Sequence, residues 1–218
     1  MHVIKEAPAP TAPEVSAEWF GAALMGMGSA FEEMARGAFS AQLLRAACRI
    51  AQRLRAGGVV YWCGNGGSSS DSQHLAAELI GRFGRPGRGW PSVALTADSA
   101  VLTSCGNDFG YETVFARQVE ALVRPEDVVV GISTSGASGN VVAALREARR
   151  KGALTIALTG ALTGALTRPG ASRASEAAEL TIRAPGKNTS AIQTCHIAIG
   201  QLLCEAAIDL AEREDGDG

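Results

Sequence analysis

His74, Glu78 and Arg82 recur at every fourth residue within CGNGGSSSDSQHLAAELIGRF, residues 63–83. On an α-helix such positions fall near one face. An imidazole and a carboxylate one turn apart can pass a proton between them or hold a metal ion. Just before them stands Gly64-Asn65-Gly66-Gly67, then three serines, after the β-like run Val59-Val60-Tyr61-Trp62. A strand, a glycine turn and a helix N-terminus gather backbone N–H donors around one point, which suits the oxygens of a phosphate. A second turn, ISTSGASGN at 132–140, crowds Ser133, Thr134, Ser135 and Ser138 around Gly136. Alone, Ser138 would read as an N-cap. Four hydroxyls, with a similar turn at 64–70, argue for a phosphate cradle. The chain has neither GxGxxG nor the lysine of a P-loop, which weighs against dinucleotide and ATP binding. Near the C-terminus Gln193 and Gln201, eight residues apart, share a helix face. His196 is rotated away from Gln201 and reads as a core or subunit-interface histidine with a satisfied hydrogen bond.

These residues need rigid elements to carry them. After Gly57-Gly58, apolar runs alternate with helical periodicity. Strands are expected at Val59–Cys63, Pro91–Thr96, Asp127–Ile132, Thr155–Leu158 and Leu180–Arg183. Helices are expected from about Asp71, over Ser99–Ser104, Glu112–Leu122 and Asn140–Lys151, and from about Ser190 to Glu212. Two more helices precede Ala56, the first with Trp19, Leu24, Met27 and Phe31 on an apolar face. Such alternation implies a parallel sheet with helices on both faces. Ligands of these sheets bind beyond the strand C-termini, near the switch in strand order, and both turns follow strands. The run ALTGALTGALT at 157–167 is too short for a solenoid repeat and reads as a strand end passing into a loop.

At 218 residues, 46% of them hydrophobic and 19% charged, the chain has the size and composition of one folded domain over 14–212. Residues 1–13, with three prolines, read as a flexible tail and 213–218 as a frayed acidic one. A net charge of −2 with no basic stripe argues against nucleic acid as a partner. No apolar run appears long enough to span a bilayer, so no membrane partner is expected. The N-terminus lacks a signal pattern, and five scattered cysteines with no CxxC pair suit a reducing compartment. Both point to the cytoplasm.

These features resemble the sugar isomerase (SIS) domain family, and within it the phosphoheptose isomerase branch. The similarity runs through CGNGGSSSDSQHLAAELIGRF, ALTADSAVLTSCGNDFGYETVFARQVEAL, ISTSGASGN and AIQTCHIAIGQLLCE. The resemblance implies an α/β fold with a five-stranded parallel sheet flanked by helices, flavodoxin-like and doubly wound, preceded by N-terminal helices. It implies a homotetramer with sites at subunit boundaries, acting on a small phosphorylated sugar. The implied reaction converts sedoheptulose 7-phosphate to D-glycero-D-manno-heptose 7-phosphate, a precursor step in lipopolysaccharide heptose biosynthesis. Carried over by position, Asn65, Gly66, Gly67, Glu78, Asn107, Asp108, Ser133, Thr134, Ser135, Ser138 and Gln193 contact substrate. Glu78 is the base, and His74, Glu78 and Gln193 match ligands of one zinc ion per subunit. This chain departs from the pattern at the fourth ligand position, where Gln201 stands in place of a histidine. Ala191 and Thr194 likewise replace an arginine and a glutamate. Glutamine relays no proton at neutral pH. A sister branch that binds the replication initiator protein, and is no catalyst, also lacks that histidine, but it lacks the glutamate as well. Glu78 therefore favours the enzyme over a sugar-phosphate sensor or a replication-initiator-binding adaptor.

Overall fold

Five short apolar runs become strands: β1 (Val60–Gly64), β2 (Ser92–Ala94), β3 (Val128–Ser133), β4 (Leu154–Gly160) and β5 (Leu180–Ala184). The computed structural model describes residues 15–81, 87–161 and 172–213. All five strands pair in parallel in the order β2-β1-β3-β4-β5. Strands β1, β3 and β4 are buried along their whole length, as parallel strands covered on both faces must be. Because successive side chains point to opposite faces, each strand feeds two cores. Trp62, Val130, Ile132, Ile156 and Leu158 join Leu75 and Ile199 on one side. Tyr61, Cys63, Val129 and Ala157 join Phe115, Val141 and Leu145 on the other. The buried Trp62 indole donates to Ser92 Oγ at 3.0 Å, and that hydroxyl is 3.0 Å from Val60 O, so the tryptophan's polar end is satisfied where β1 meets β2.

The helices are α1 (Ala17–Met34), α2 (Gly37–Arg55), α3 (Gly67–Ile80), α4 (Ser99–Phe109), α5 (Val114–Leu122), α6 (Gly139–Arg150), α7 (Arg173–Ala177) and α8 (Thr189–Arg213), with a single 3₁₀ turn at Tyr111–Thr113. This is the expected doubly wound α/β fold. Four local expectations need correction. Helix α3 begins at Gly67 rather than near Asp71. Gly66 takes φ +57°, and the N–H groups of Ser68 and Ser69 bond to Asn65 O and Gly66 O at 3.0 Å. The serines thus form the first helical turn. The short α7 was not foreseen; Ser172 caps it, accepting from Ser175 N at 3.2 Å. Helix α1 buries only Ala30 and Met34, while Trp19, Leu24 and Phe31 of its expected inner face are exposed. Finally, α8 is long and apolar enough to cross a membrane by length and composition. Its apolar residues are instead spent on the core: Ile192, Cys195, Ile199, Leu203 and Ala207 pack with α2 and the sheet. Arg82, both tails other than Arg213, and residues 162–167 of the ALT repeat lie outside the described residues.

Candidate active site

In the strand order 2-1-3-4-5 the chain reverses its winding between β1 and β3, and a crevice opens there beyond the strand C-termini. Both turns leave these two strands. The last β1–β3 ladder pair is Gly64 with Ile132, so Asn65-Gly66-Gly67 and Ser133–Ser138 emerge side by side. Each turn runs directly into a helix, α3 or α6, and points that helix's free N–H groups into the crevice. Glycine is required in the second turn: Gly136 has φ +64°, and a Cβ there would fall 2.4 Å from Ser172 Oγ.

The hydroxyls of this second turn are not used as caps. Ser138 occupies the N-cap position of α6 but makes no capping bond; its Oγ lies 2.9 Å from Ser133 Oγ. Ser135 Oγ accepts from Ala137 N at 3.2 Å, and the Ser135 side chain is exposed at the crevice. Thr134 O accepts from Gly160 N at 3.0 Å, which fixes the turn to the end of β4.

The helix face read from the sequence is present. His74 Nε2 lies 2.8 Å from Glu78 Oε1, with the carboxylate 16% exposed and the imidazole half-exposed. Gln201 reaches the same ring nitrogen from α8, with Nε2···Nε2 at 3.2 Å. One nitrogen cannot donate to Glu78 and also accept from an amide. The arrangement is consistent with His74 Nε2 carrying the proton toward Glu78 and the Gln201 amide turned to present its oxygen. Gln193, two turns earlier on α8, lies over the first turn of α3: a Cβ on Gly67 would sit 1.9 Å from its Nε2. The structure thus gathers His74, Glu78 and Gln201, and brings Gln193 to the glycine turn.

Asn107 and Asp108 stand apart from these contacts. They bond to each other at 2.8 Å on the exposed last turn of α4.

Three residues at the site escaped the sequence reading. Asp71 lines a cleft of about 470 Å³ with Ser190 and Gln193. Its Oδ2 is buried without a partner among the described residues. Burial raises its carboxyl pKa, and the nearby His74 pulls it partly back. Asp71 stands three residues before His74, a spacing that could have flagged it. Tyr111 and Asn140 both bond to Asn65, and local sequence carries no sign of either contact. His196 was expected to be buried with a satisfied hydrogen bond. It is fully buried, but neither ring nitrogen has a partner among the described residues. The Thr159 backbone beside the ring works in the opposite direction, and burial outweighs it. The imidazole pKa is pushed down from 6.5 to about 4.

The four positions expected to hold zinc supply one imidazole, one carboxylate and two amides, and only His74, Glu78 and Gln201 are in contact. Among the described residues no three His, Cys, Asp or Glu side chains converge. His74 and Glu78 are already bonded to each other. Amide oxygens are weak zinc ligands beside imidazole or thiolate, so this donor set does not form a tight zinc site. The five cysteines are free. Burial pushes the Cys63 thiol up to about 12 and raises Cys204 as well, the latter aided by the Glu78 charge. Neither supplies a thiolate.

Comparison with known proteins agrees with this fold. Residues 29–160, more than half of the chain, match the SIS domain model, and the chain belongs to the SIS domain family, in its phosphoheptose isomerase branch. It is 44% identical over 191 residues to the phosphoheptose isomerase of Akkermansia muciniphila, spanning 88% of this chain and 94% of that one. The Aquifex aeolicus phosphoheptose isomerase is 46% identical over 167 residues, 77% of this chain and 83% of its own. Among solved structures, the phosphoheptose isomerase of Francisella tularensis superposes with a TM-score of 0.79 at 32% identity, covering 89% of this chain and 98% of its own. That of Neisseria gonorrhoeae gives 0.74 at 35%, covering 87% and 98%.

Proposed function

We propose that this chain is an aldose–ketose isomerase that interconverts sedoheptulose 7-phosphate and D-glycero-D-manno-heptose 7-phosphate. The observation that carries the reading is the Glu78–His74 pair, 2.8 Å apart, on the helix that starts at the first glycine turn. A bare phosphosugar sensor needs the turns but not the pair. In this reading the phosphate binds at the hydroxyls of Ser133, Ser135 and Ser138 and the N-terminus of α6, which anchors the far end of the sugar. The Glu78 carboxylate takes the proton from the carbon beside the carbonyl, giving an enediolate; the proton of the adjacent hydroxyl passes to the former carbonyl oxygen, and Glu78 returns its proton to the former carbonyl carbon. His74 holds that carboxylate in place through its hydrogen bond. Asn107 and Asp108 lie in the last turn of α4 just before Tyr111, which bonds to Asn65, and in this reading they face the sugar from that side. No step is assigned to zinc, because the donor set is poor.

The resemblance to a tetrameric branch and the exposed apolar face of α1 support a homotetramer. The free cysteines support a cytoplasmic location. The decisive experiment is incubation of the purified protein with sedoheptulose 7-phosphate, with formation of the aldose followed by NMR. Conversion that disappears in Glu78→Gln is expected. Binding without conversion in the parent protein would make the sensor reading the better one.

A further inference from the structure

We infer that Tyr111 and Asn140 are positioning residues that, through Asn65, clamp the two turns into one preorganised phosphosugar site. The inference rests on the phosphosugar reading above. Its starting point is a closed ring of two amides. Asn65 Nδ2 donates to Asn140 Oδ1 at 2.8 Å, and Asn140 Nδ2 donates back to Asn65 Oδ1 at 2.8 Å. Asn140 is 2% exposed, and its Oδ1 also accepts from Val141 N at 2.9 Å, so it is fixed to the first turn of α6. Tyr111 OH donates to Asn65 Oδ1 at 3.0 Å. That oxygen then has both of the donors its lone pairs accommodate.

The location explains the need. The β1–β3 ladder ends at Gly64 and Ile132. Beyond it, no main-chain bond among the described residues joins the two turns, and the amide ring begins at Asn65, the residue that follows β1. The 3₁₀ turn rests on both sides of the gap. Tyr111 bonds to the first turn. Glu112 covers the second, since a Cβ on Gly139 would fall 2.6 Å from Glu112 Oε1. Neutral amides suit this position, because an aspartate at 65 or 140 would lose a donor and set a carboxylate beside the bound anion. The ring also changes the part assigned to Asn65. Its carbonyl oxygen is consumed internally, so it meets substrate through its main chain and its remaining Nδ2–H.

Tyr111 is 62% exposed, so removing its hydroxyl leaves the core intact. Tyr111→Phe is expected to raise KM for sedoheptulose 7-phosphate about three- to tenfold, the scale of one lost hydrogen bond. The kcat should stay within about twofold, because the Glu78–His74 pair is untouched. Asn140→Ala should raise KM further, and Tyr111→Phe should add little in that background, since both act through Asn65. A merely structural role would lower the active fraction, and with it kcat, at unchanged KM. That pattern, or an unchanged KM in Tyr111→Phe, overturns the inference. If Asn140→Ala does not fold, Tyr111→Phe decides alone. A parent protein that neither binds nor converts the sugar phosphate overturns the functional reading, and this inference with it.

Discussion

Glu78 and Gln201 meet the same ring nitrogen of His74 from two helices, and they divide the chemistry between them. A carboxylate can take the carbon proton; an amide can neither take nor give one at neutral pH. Glu78→Gln is therefore expected to abolish isomerisation while sugar-phosphate affinity, measured by calorimetry, changes little; an unchanged rate would remove Glu78 as the base. Gln201→His replaces a weak ligand with an imidazole beside His74 and Glu78. Zinc content by mass spectrometry and isomerase rate should rise together, and a variant with no added zinc would show that the missing histidine is not what limits the site. In the second turn, Ser135→Ala combined with Ser138→Ala removes two hydroxyls proposed to donate to phosphate. Affinity should fall by about 1–3 kcal/mol, the order of two charge-assisted hydrogen bonds. Equal affinities in calorimetry would place the phosphate elsewhere.

At the scale of the element, α8 does two jobs: it presents Gln193 and Gln201 to the site and fills the core with its other face. His196 sits on the core face, where burial lowers its folded-state pKa from 6.5 to about 4. Between those values the unfolded chain binds a proton that the folded chain does not. Stability therefore rises with pH across the window and is lost as pH falls from 6.5 toward 4. The full effect is about 3 kcal/mol, at 1.36 kcal/mol for each pH unit between the two states. Urea midpoints measured from pH 7 to pH 4 should fall accordingly, and His196→Leu should flatten that part of the curve. An equally steep fall in the variant would assign the acid sensitivity to other groups. This proton linkage is separate from any effect of pH on Glu78 chemistry, which is read from rate rather than stability.

At the scale of the molecule, the surface is unusual in one region. Helix α1 exposes Trp19, Phe20, Leu24 and Met25, at 41%, 56%, 67% and 75%, although it packs on α2 and α8. A cleft of about 400 Å³ between Trp19, Gly26 and Met27 of α1 and Ala191 of α8 adjoins this surface. Exposed apolar area of this kind belongs against a partner, and the proposed homotetramer supplies one. Multi-angle light scattering should give the mass of four chains at micromolar concentration, and Leu24→Asp with Met25→Asp should shift it downward. A stable monomer in the unchanged protein would sink the proposal. Because α1 runs beside the start of α8, loss of assembly should also loosen the segment that carries Ser190 and Gln193.

The sequence by itself determined much of this protein because the decisive signals are local. Turn glycines before a helix, i and i+4 spacing in His74 and Glu78, and uninterrupted apolar runs in β1, β3 and β4 each report structure within a few residues. They were enough to specify the doubly wound sheet, the two turns at its C-terminal edge and the His74–Glu78 pair. Helix ends were less legible. The start of α3 depends on the backbone of Gly66, and α7 is too short to show a period. Only the tertiary structure decided which distant side chains meet. Asn65 and Asn140 are 75 residues apart, His74 and Gln201 127 apart, and no local pattern encodes such contacts. It also decided what α8 and α1 do with similar apolar content: α8 has a sheet and α2 to cover it, and α1 has little within its own chain. Burial, like the lack of a partner among the described residues for the His196 ring and Asp71 Oδ2, belongs to the assembled fold, where neighbours from other elements either supply a hydrogen-bond partner or leave the group without one.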